Sequence, residues 1–376
     1  MAISEFRLAI PDADLDDLRL RLDRSRFPEA ATSPGWEQGV PLPQLRALID
    51  HWRTGYDWRR CEAMLNDLGQ FRTEIDGLGI HFLHVRSCHA GALPLIMTHG
   101  WPGSIIEFHK VIAPLVDPTS HGGSADDAFH LVLPTLPGFG FSDKPTESGW
   151  GIERIALAWA ELMAQLGYTH YVAQGGDWGA AVTVKMGAQR PAGLIGIHLN
   201  MMSLLPETLE EPLGEEEQKA LQTYQHYDQV ESGYARLQAS RPQTLGYALA
   251  DSPVGQAAWI YEKLRNWSDC DGEPETIFTR DEMLDNIMHY WLPNSGASSA
   301  RLYRQSLAEF VPTRVELPLG ASLFPKEILA APRSWADRVY SNIIHWNKLP
   351  RGGHFPAFEQ PTLFVEELRT CFRKMR

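Results

Sequence analysis

A run of five residues, Gly175-Gly176-Asp177-Trp178-Gly179, sets an aspartate among glycines at the point where the apolar pattern changes from strand to helix. Thr169 to Gln174 reads as a short buried strand and Ala180 to Gln189 as a helix, so a sharp turn falls at Asp177. Small residues suit such an elbow, because a Cβ beside it would collide with neighbouring backbone. The residue at the tip then decides the chemistry. A serine would attack an acyl carbon and form an ester. A carboxylate attacking an acyl carbon forms an anhydride, which serves acyl transfer poorly. Attack by a carboxylate on a saturated carbon that carries a leaving group gives a stable alkyl ester, which water can cleave. Asp177 thus points toward epoxides or alkyl halides. By itself the run reads equally well as an Asx-turn or a helix N-cap, places that Asp often fills.

A carboxylate nucleophile needs a base to activate water, an acid to orient that base, and donors for the oxyanion formed when the ester is cleaved. Each has a candidate at a strand exit. Arg351-Gly352-Gly353-His354-Phe355-Pro356 follows the last expected strand, where His354 would be the base. The other reading of His354 is a buried structural histidine on a glycine loop. Glu327 is the acid on the preceding loop, Ser322 to Glu327. Asp337 and Glu316 compete with it, but Asp337 falls in an expected helix and Glu316 in an expected strand. The backbone N–H groups of Trp101, in His99-Gly100-Trp101-Pro102-Gly103-Ser104, and of Trp178 are placed to bind an oxyanion. Pro102 could hold that turn through a cis bond. The alternative is an ordinary strand exit.

Composition narrows the partners. The formal charge of −13 argues against nucleic acid or an anionic membrane surface. No run approaches the roughly 18 apolar residues of a membrane span, and residues 1–10 lack the features of a signal peptide, so a soluble, cytoplasmic protein is expected. Cys61, Cys88, Cys270 and Cys371 form no close pair, which suggests reduced thiols and no zinc site. Asp269 to Gly272 fails as a calcium loop, because Trp267 and Phe278 would occupy the end ligand positions. His81 and His84 fall on opposite faces of one strand. No metal or organic cofactor is expected.

Elements that could hold these groups follow the chain in order. Residues 1–70 read as an arm of two or three helices broken by a Pro/Gly loop, with Leu15, Leu18 and Leu22, then Leu45, Leu48 and Trp52, at helical spacing. Residues 71–202 begin with a hairpin, Phe71 to Ile75 and Ile80 to Val85 around Asp76-Gly77-Leu78-Gly79, and continue as alternating strands and helices. Strands are expected at Leu93 to Met97, Phe129 to Leu133 and Leu194 to Leu199, and a helix at Ile152 to Leu166. That order predicts an α/β fold with a mostly parallel doubly wound sheet. Residues 203–305 break the rhythm and read as an inserted helical lid. Residues 306–376 return to strand character at Val311 to Leu319 and Ile343 to Leu349, and end in a helix over Thr362 to Phe372.

Together these motifs resemble epoxide hydrolases of the α/β-hydrolase superfamily, specifically the microsomal and juvenile-hormone type. The resemblance covers nearly the whole chain and includes the Asp177 elbow, the turn at residues 99–104, the segment 351–355 and the lid run Asp251 to Ala258. It implies an α/β-hydrolase fold with an N-terminal meander. Its acid falls on Glu327. Two lid tyrosines fall on Tyr234 and Tyr303; the residues alone would leave Tyr224, Tyr227, Tyr247, Tyr261 and Tyr290 as equal choices. The implied reaction opens an epoxide to a vicinal diol through an ester on Asp177, hydrolysed by water that His354 and Glu327 activate, without cofactor or metal. The partners are then a small hydrophobic epoxide and water. A homodimer is carried as an expectation that no residue pattern specifies. Membrane-bound relatives carry an N-terminal anchor helix that residues 1–10 do not resemble, so a soluble, bacterial-type member is implied. A haloalkane dehalogenase shares the Asp-Trp elbow and the histidine step; a non-catalytic binding module is the reading from another class. Trp101, Trp150, Trp259, Tyr290 and Trp291 suggest an aromatic pocket.

Overall fold

The structure, a computed structural model, describes residues 3–376. Strands β1 (Ser4–Glu5), β2 (Gln70–Ile75), β3 (Leu78–Val85), β4 (Leu93–Thr98), β5 (Phe129–Pro134), β6 (Tyr171–Gly175), β7 (Leu194–Leu199), β8 (Leu319–Leu323) and β9 (Ile343–Lys348) pair into one sheet. Their spatial order is β1-β2-β3-β5-β4-β6-β7-β8-β9. Pairing is antiparallel from β1 through β3 to β5 and parallel from β5 to β9. Parallel neighbours need crossovers. Helix Ile152–Gln165 carries the chain from β5 to β6, and helix Asp177–Gln189 carries it from β6 to β7. These two helices pack against each other, and every residue of β6 is buried, so both faces of this central strand are covered.

The chain runs from β4 outward to β5 and then back across β4 to β6. The strand order thus reverses between β4 and β6, where the carboxyl ends of an α/β sheet open a crevice. Thr98 pairs with Gly175 at that end, so the turns after β4 and β6 lie side by side. They carry Trp101 and Asp177.

Between β7 and β8 the described residues form helices Glu215–His226, Gly233–Ser240, Pro242–Asp251, Pro253–Asn266, Arg280–Trp291 and Gly296–Ser306, with a π-helical turn at Tyr227–Glu231. Helices Asp12–Asp23, Leu42–Thr54 and Trp58–Asp67 lie between β1 and β2 and pack on this insertion. Their attachment is partly ionic. The buried Asp285 accepts hydrogen bonds from Arg60 at 2.6 Å and from the Tyr56 hydroxyl at 2.8 Å, and His51 meets Asp281 at 2.6 Å. No helix of the described residues is long and apolar enough to cross a membrane.

Three expectations need correction. The strand expected at Val311 to Leu319 forms instead over Leu319–Leu323. Pro312 and Pro318 lack the N–H that a ladder requires, and Val315 makes only an isolated bridge to Tyr340. Glu316 is consequently outside the sheet and pairs with Arg190. The β2–β3 turn is the two-residue pair Asp76-Gly77, with φ of 51° and 76°, and Leu78 and Gly79 already belong to β3. Positive φ at both turn positions gives the twist that closes a tight hairpin. The helix after β6 starts at Asp177 itself.

His81 of β3 is fully buried, with Nδ1 2.9 Å from the Thr135 hydroxyl and Nε2 2.9 Å from the Gln70 amide oxygen. Burial, helped by the charges of His289 and Arg72, pushes its pKa down from 6.5 to about 3. As pH falls below 6.5 the unfolded chain takes up a proton that the folded chain refuses, so stability associated with neutral His81 drains away toward pH 3. Denaturant unfolding between pH 7 and 5 should show the parent protein losing stability relative to His81→Gln, with a differential slope of at most about 1.4 kcal/mol per pH unit. Parallel curves for the two proteins would contradict this.

Candidate active site

Asp177 adopts φ of +48°, a left-handed conformation uncommon for a residue with a side chain. The strain is tolerated because the surrounding glycines let three backbones meet. A Cβ at Gly179 would fall on the Thr98 carbonyl, and one at Gly100 would occupy the space of the Asp177 carboxylate. The elbow throws that carboxylate out of the β6–helix turn toward the turn after β4. There the Trp101 N–H donates to Asp177 Oδ1 at 2.8 Å. The Trp178 N–H lies in the first turn of helix Asp177–Gln189, where amide hydrogens have no carbonyl within the helix to meet. The Trp101–Pro102 peptide is cis.

His354 follows β9 and is buried. Its Nε2 is 3.3 Å from Asp177 Oδ2, and its Nδ1 is 2.6 Å from Glu327 Oε1. Asp337 and Glu316, the other acids considered, pair elsewhere, with Arg333 and Arg190. Burial alone would lower the pKa of His354, but the charges of Glu327 and Asp177 on its two sides outweigh it, and the imidazole is held well above its ordinary 6.5. An imidazolium between two carboxylates is therefore the resting state at neutral pH.

The loop carrying His354 is fixed by groups that sequence reasoning did not select. Glu359 accepts from the N–H groups of Gly353 at 3.0 Å, Phe355 at 2.8 Å and Asp269 at 2.7 Å, bracketing the histidine. Asp269, the start of the rejected calcium-like run, accepts from the Gly352 N–H at 2.9 Å. Trp267 receives the His354 N–H on its carbonyl at 2.8 Å and sets its ring edge-on, 5.1 Å from the imidazole. A local signal existed for Glu359, an acid following apolar Phe355 to Phe358. For Trp267 there was none, because its contact spans distant parts of the chain.

Helix Arg280–Trp291 grips the Trp101 turn. Asn286 donates to the Pro102 carbonyl at 2.7 Å and accepts from Ser104 at 2.7 Å, and the Tyr290 hydroxyl donates to the Gly103 carbonyl at 2.7 Å.

Two cavities meet at Asp177. The larger, about 500 Å³, is lined by Trp178, Tyr224, Tyr227, Tyr234, Tyr303 and Phe310 among others. The smaller, about 20 Å³, is lined by Gly100, Trp101, Glu107, Asn200 and His354 among others. Among the described residues Asp177 is the only one that lines both. The aromatic pocket has other members than expected. Trp101 borders the small cavity, Trp259 a separate surface cleft, and Trp150, Tyr290 and Trp291 border neither active-site cavity.

Tyr234 and Tyr303 are buried with ring centroids 5.7 Å apart. Trp101 stacks on Tyr234 at 4.9 Å, and Trp178 meets Tyr303 edge-on at 4.8 Å. A third phenol, Tyr227, brings its hydroxyl to 2.9 Å from that of Tyr234. Burial holds the phenols of Tyr234 and Tyr303 well above 10, aided at Tyr234 by Tyr303, Tyr227 and the Asp177 charge and at Tyr303 by the Asp177 charge and Tyr227. Both remain hydrogen-bond donors over the ordinary pH range.

This arrangement sets a charged imidazole and two phenols around one carboxylate. Glu327→Gln removes one of the two charges that raise the His354 pKa, so the imidazole should titrate at lower pH than in the parent protein. Imidazole NMR shifts followed against pH check this, and an unchanged midpoint would show that Glu327 does not govern the histidine.

Comparison with known proteins bears on the whole chain. Residues 3–108 match the family model described as "Epoxide hydrolase N terminus", and residues 94–227 match that described as "alpha/beta hydrolase fold". A protein of Stigmatella aurantiaca (strain DW4/3-1) named "Putative epoxide hydrolase" is 57% identical over 376 residues, covering 100% of this chain and 86% of that relative. Epoxide hydrolase 1 of Oryctolagus cuniculus is 35% identical over 399 aligned positions, covering 98% of this chain and 88% of that relative. Among solved structures, Aspergillus niger epoxide hydrolase superposes with a TM-score of 0.88 at 30% identity, covering 100% of this chain and 97% of that one. The juvenile hormone epoxide hydrolase of the silkworm Bombyx mori gives 0.90 at 30% identity, covering 100% and 95%. The match runs from the N-terminal helices through the elbow to the last strand: the chain belongs to the epoxide hydrolase family and is built on the α/β-hydrolase fold.

Proposed function

We propose that the protein hydrolyses a hydrophobic epoxide to a vicinal diol through a covalent ester on Asp177. The observation that carries this reading is the Asp177 carboxylate, which faces a 500 Å³ cavity containing Tyr234 and Tyr303 while lying 3.3 Å from His354. Asp177 attacks a ring carbon in line, forming a C–O ester bond as the ring C–O bond breaks. The hydroxyls of Tyr234 and Tyr303 donate to the leaving oxygen, and one of their protons neutralises the alkoxide. Such proton donation is typically worth ~10²–10⁴ in rate. The apolar lining, with Leu205, Leu221 and Phe310, supports a substrate whose body is hydrocarbon.

Ester formation removes the Asp177 charge. The imidazole then keeps only Glu327 as an anionic neighbour, its proton affinity falls, and its proton restores the phenol that gave one up to the alkoxide, which leaves the neutral base needed for the second step. His354 takes a proton from water as the water oxygen bonds to Asp177 Cγ. The oxyanion so formed is bound by the N–H groups of Trp101 and Trp178, and collapse breaks the ester and returns a proton to the diol.

Asp177→Ala should abolish turnover, whereas Tyr234→Phe or Tyr303→Phe alone should leave measurable activity, because the other phenol still donates. His354→Gln should accumulate the ester. Exposed to styrene oxide, that variant should gain the mass of the whole epoxide, and the same variant with Asp177→Asn added should gain none. A bromoalkane adduct lacking bromine, with no epoxide adduct, would turn the reading to dehalogenation.

A further inference from the structure

Glu107 is the acid of the site that the chemistry above does not use. It lies in the short helical turn Ile105–Phe108, between apolar neighbours, in the segment that also carries Trp101. Its carboxyl enters the small cavity shared with His354 and Asp177, in space left open by Gly103, where a Cβ would press on Glu107 Oε1. That Oε1 is sealed from solvent and has no hydrogen-bond partner within the protein. A buried polar atom left unpaired costs free energy, and the hydrogen bond that the carboxyl makes with the Gly100 backbone leaves Oε1 without a partner.

The cavity has a matching shape. Its 20 Å³ accommodates one water, given that a water needs roughly 10–15 Å³ by this measure and two to four polar partners. The substrate cavity lies on the other side of Asp177, with both catalytic phenols lining it and neither His354 nor Glu107 doing so.

We infer that the small cavity is the seat of the hydrolytic water, and that Glu107 holds this water by accepting one of its hydrogens on Oε1 while His354 accepts the other. The inference rests on the proposed two-step reaction and adds to it where the water waits and what aims it. With both hydrogens engaged, a water lone pair is directed at Asp177 Cγ, on the side of the carboxylate away from the alkyl group. The balance is that of ester hydrolysis. The O–H bond to the His354 side breaks and a C–O bond forms at Cγ. The Cγ–O(alkyl) bond then breaks, the proton held by His354 passes to the diol oxygen, and the carboxylic acid left at Asp177 gives its own proton to the imidazole. Glu107 ends the cycle in the state in which it began.

The protonation of Glu107 fits this task. Burial, reinforced by the Asp177 charge and opposed by His354, raises its pKa from 4.5 to about 8. At neutral pH it is therefore mostly an uncharged carboxyl, which accepts a hydrogen without competing with His354 for a full proton. A carboxylate there would make a second base beside the nucleophile.

Glu107→Leu and Glu107→Gln in the full chain, mixed with styrene oxide in single-turnover quench experiments and followed by intact mass, separate ester formation from ester decay. Glu107→Leu should form the Asp177 ester at the parent rate but lose it roughly 10- to 100-fold more slowly, as expected when a buried hydrogen bond to a polarised group is removed. Glu107→Gln keeps an uncharged acceptor and should decay close to the parent rate. Unimpaired ester formation in the leucine variant guards against general misfolding. Parent-like decay in Glu107→Leu would overturn the inference, as would equal slowing of both steps or a glutamine variant as slow as the leucine one. If no ester forms in His354→Gln either, the failure is that of the proposed reaction and not of the water site.

Discussion

The site depends on one strained residue. Asp177 sits at φ of +48° between a buried parallel strand and the helix that follows it, and this conformation alone points its carboxylate out of the turn. Left-handed backbone at a non-glycine residue costs of order 1–3 kcal/mol and persists only where the surroundings over-determine it. Here the surroundings are the carbonyl of Thr98 against Gly179, the space at Gly100, and the Trp101 N–H, which donates to Asp177 Oδ1. If the β4 and β6 exits shifted apart, the elbow would lose both the contacts that justify it and the reason for its orientation. The parallel register that pairs Thr98 with Gly175 is what prevents this.

Electrostatics builds outward from that carboxylate. His354 is buried, which would favour the neutral ring, yet it stands between Asp177 and Glu327 and is held in the charged form. A buried imidazolium is costly unless paired on both sides, and this pairing ties the elbow to the loops after β8 and β9. On the opposite side, buried phenols face the same carboxylate without sharing a cavity with the histidine. The two halves of the proposed chemistry thus use one atom group and separate compartments, so the alkyl group and the water need not displace one another.

The helical insertion and the N-terminal helices act in series on the site. His51, Tyr56 and Arg60 anchor the acids of helix Arg280–Trp291, and the far side of that helix holds the carbonyls of Pro102 and Gly103 through Asn286 and Tyr290. The arm therefore reaches the Trp101 turn through a single rigid element. Asp285, with its carboxylate in a largely apolar setting, shows the cost accepted for this coupling: burial raises its pKa against the pull of Arg60 and Tyr56.

Much of this was legible along the chain. The elbow, the two turn-rich strand exits, His354 and its acid could be found because each is marked by glycine, proline or chemistry-bearing residues within a few positions. The helical insertion showed as a break in the strand–helix alternation. Strand β8 was misplaced by a few residues, since Val311 to Leu319 has strand-like residue types, and only its prolines and the absence of a ladder partner argue otherwise. The aromatic lining was misjudged because apolar rings suit core and pocket equally; Trp150 and Trp291 differ from Trp178 in where the backbone points them, which local pattern does not encode. Tyr234 and Tyr303 could be chosen among the tyrosines only by family resemblance.

By itself, then, the sequence determined the turns that carry Asp177, Trp101 and His354 and the order in which they occur, because local turn chemistry and hydrophobic period are short-range properties. The tertiary structure decided which groups share a cavity. Glu107 facing His354, Glu359 bracketing the histidine loop, Trp267 set edge-on to the imidazole and Tyr227 touching Tyr234 are all contacts made only when the core and the insertion are packed. Burial, and with it every displaced pKa in the site, arises only then, since desolvation depends on all the atoms that surround a group and not on those beside it in the chain.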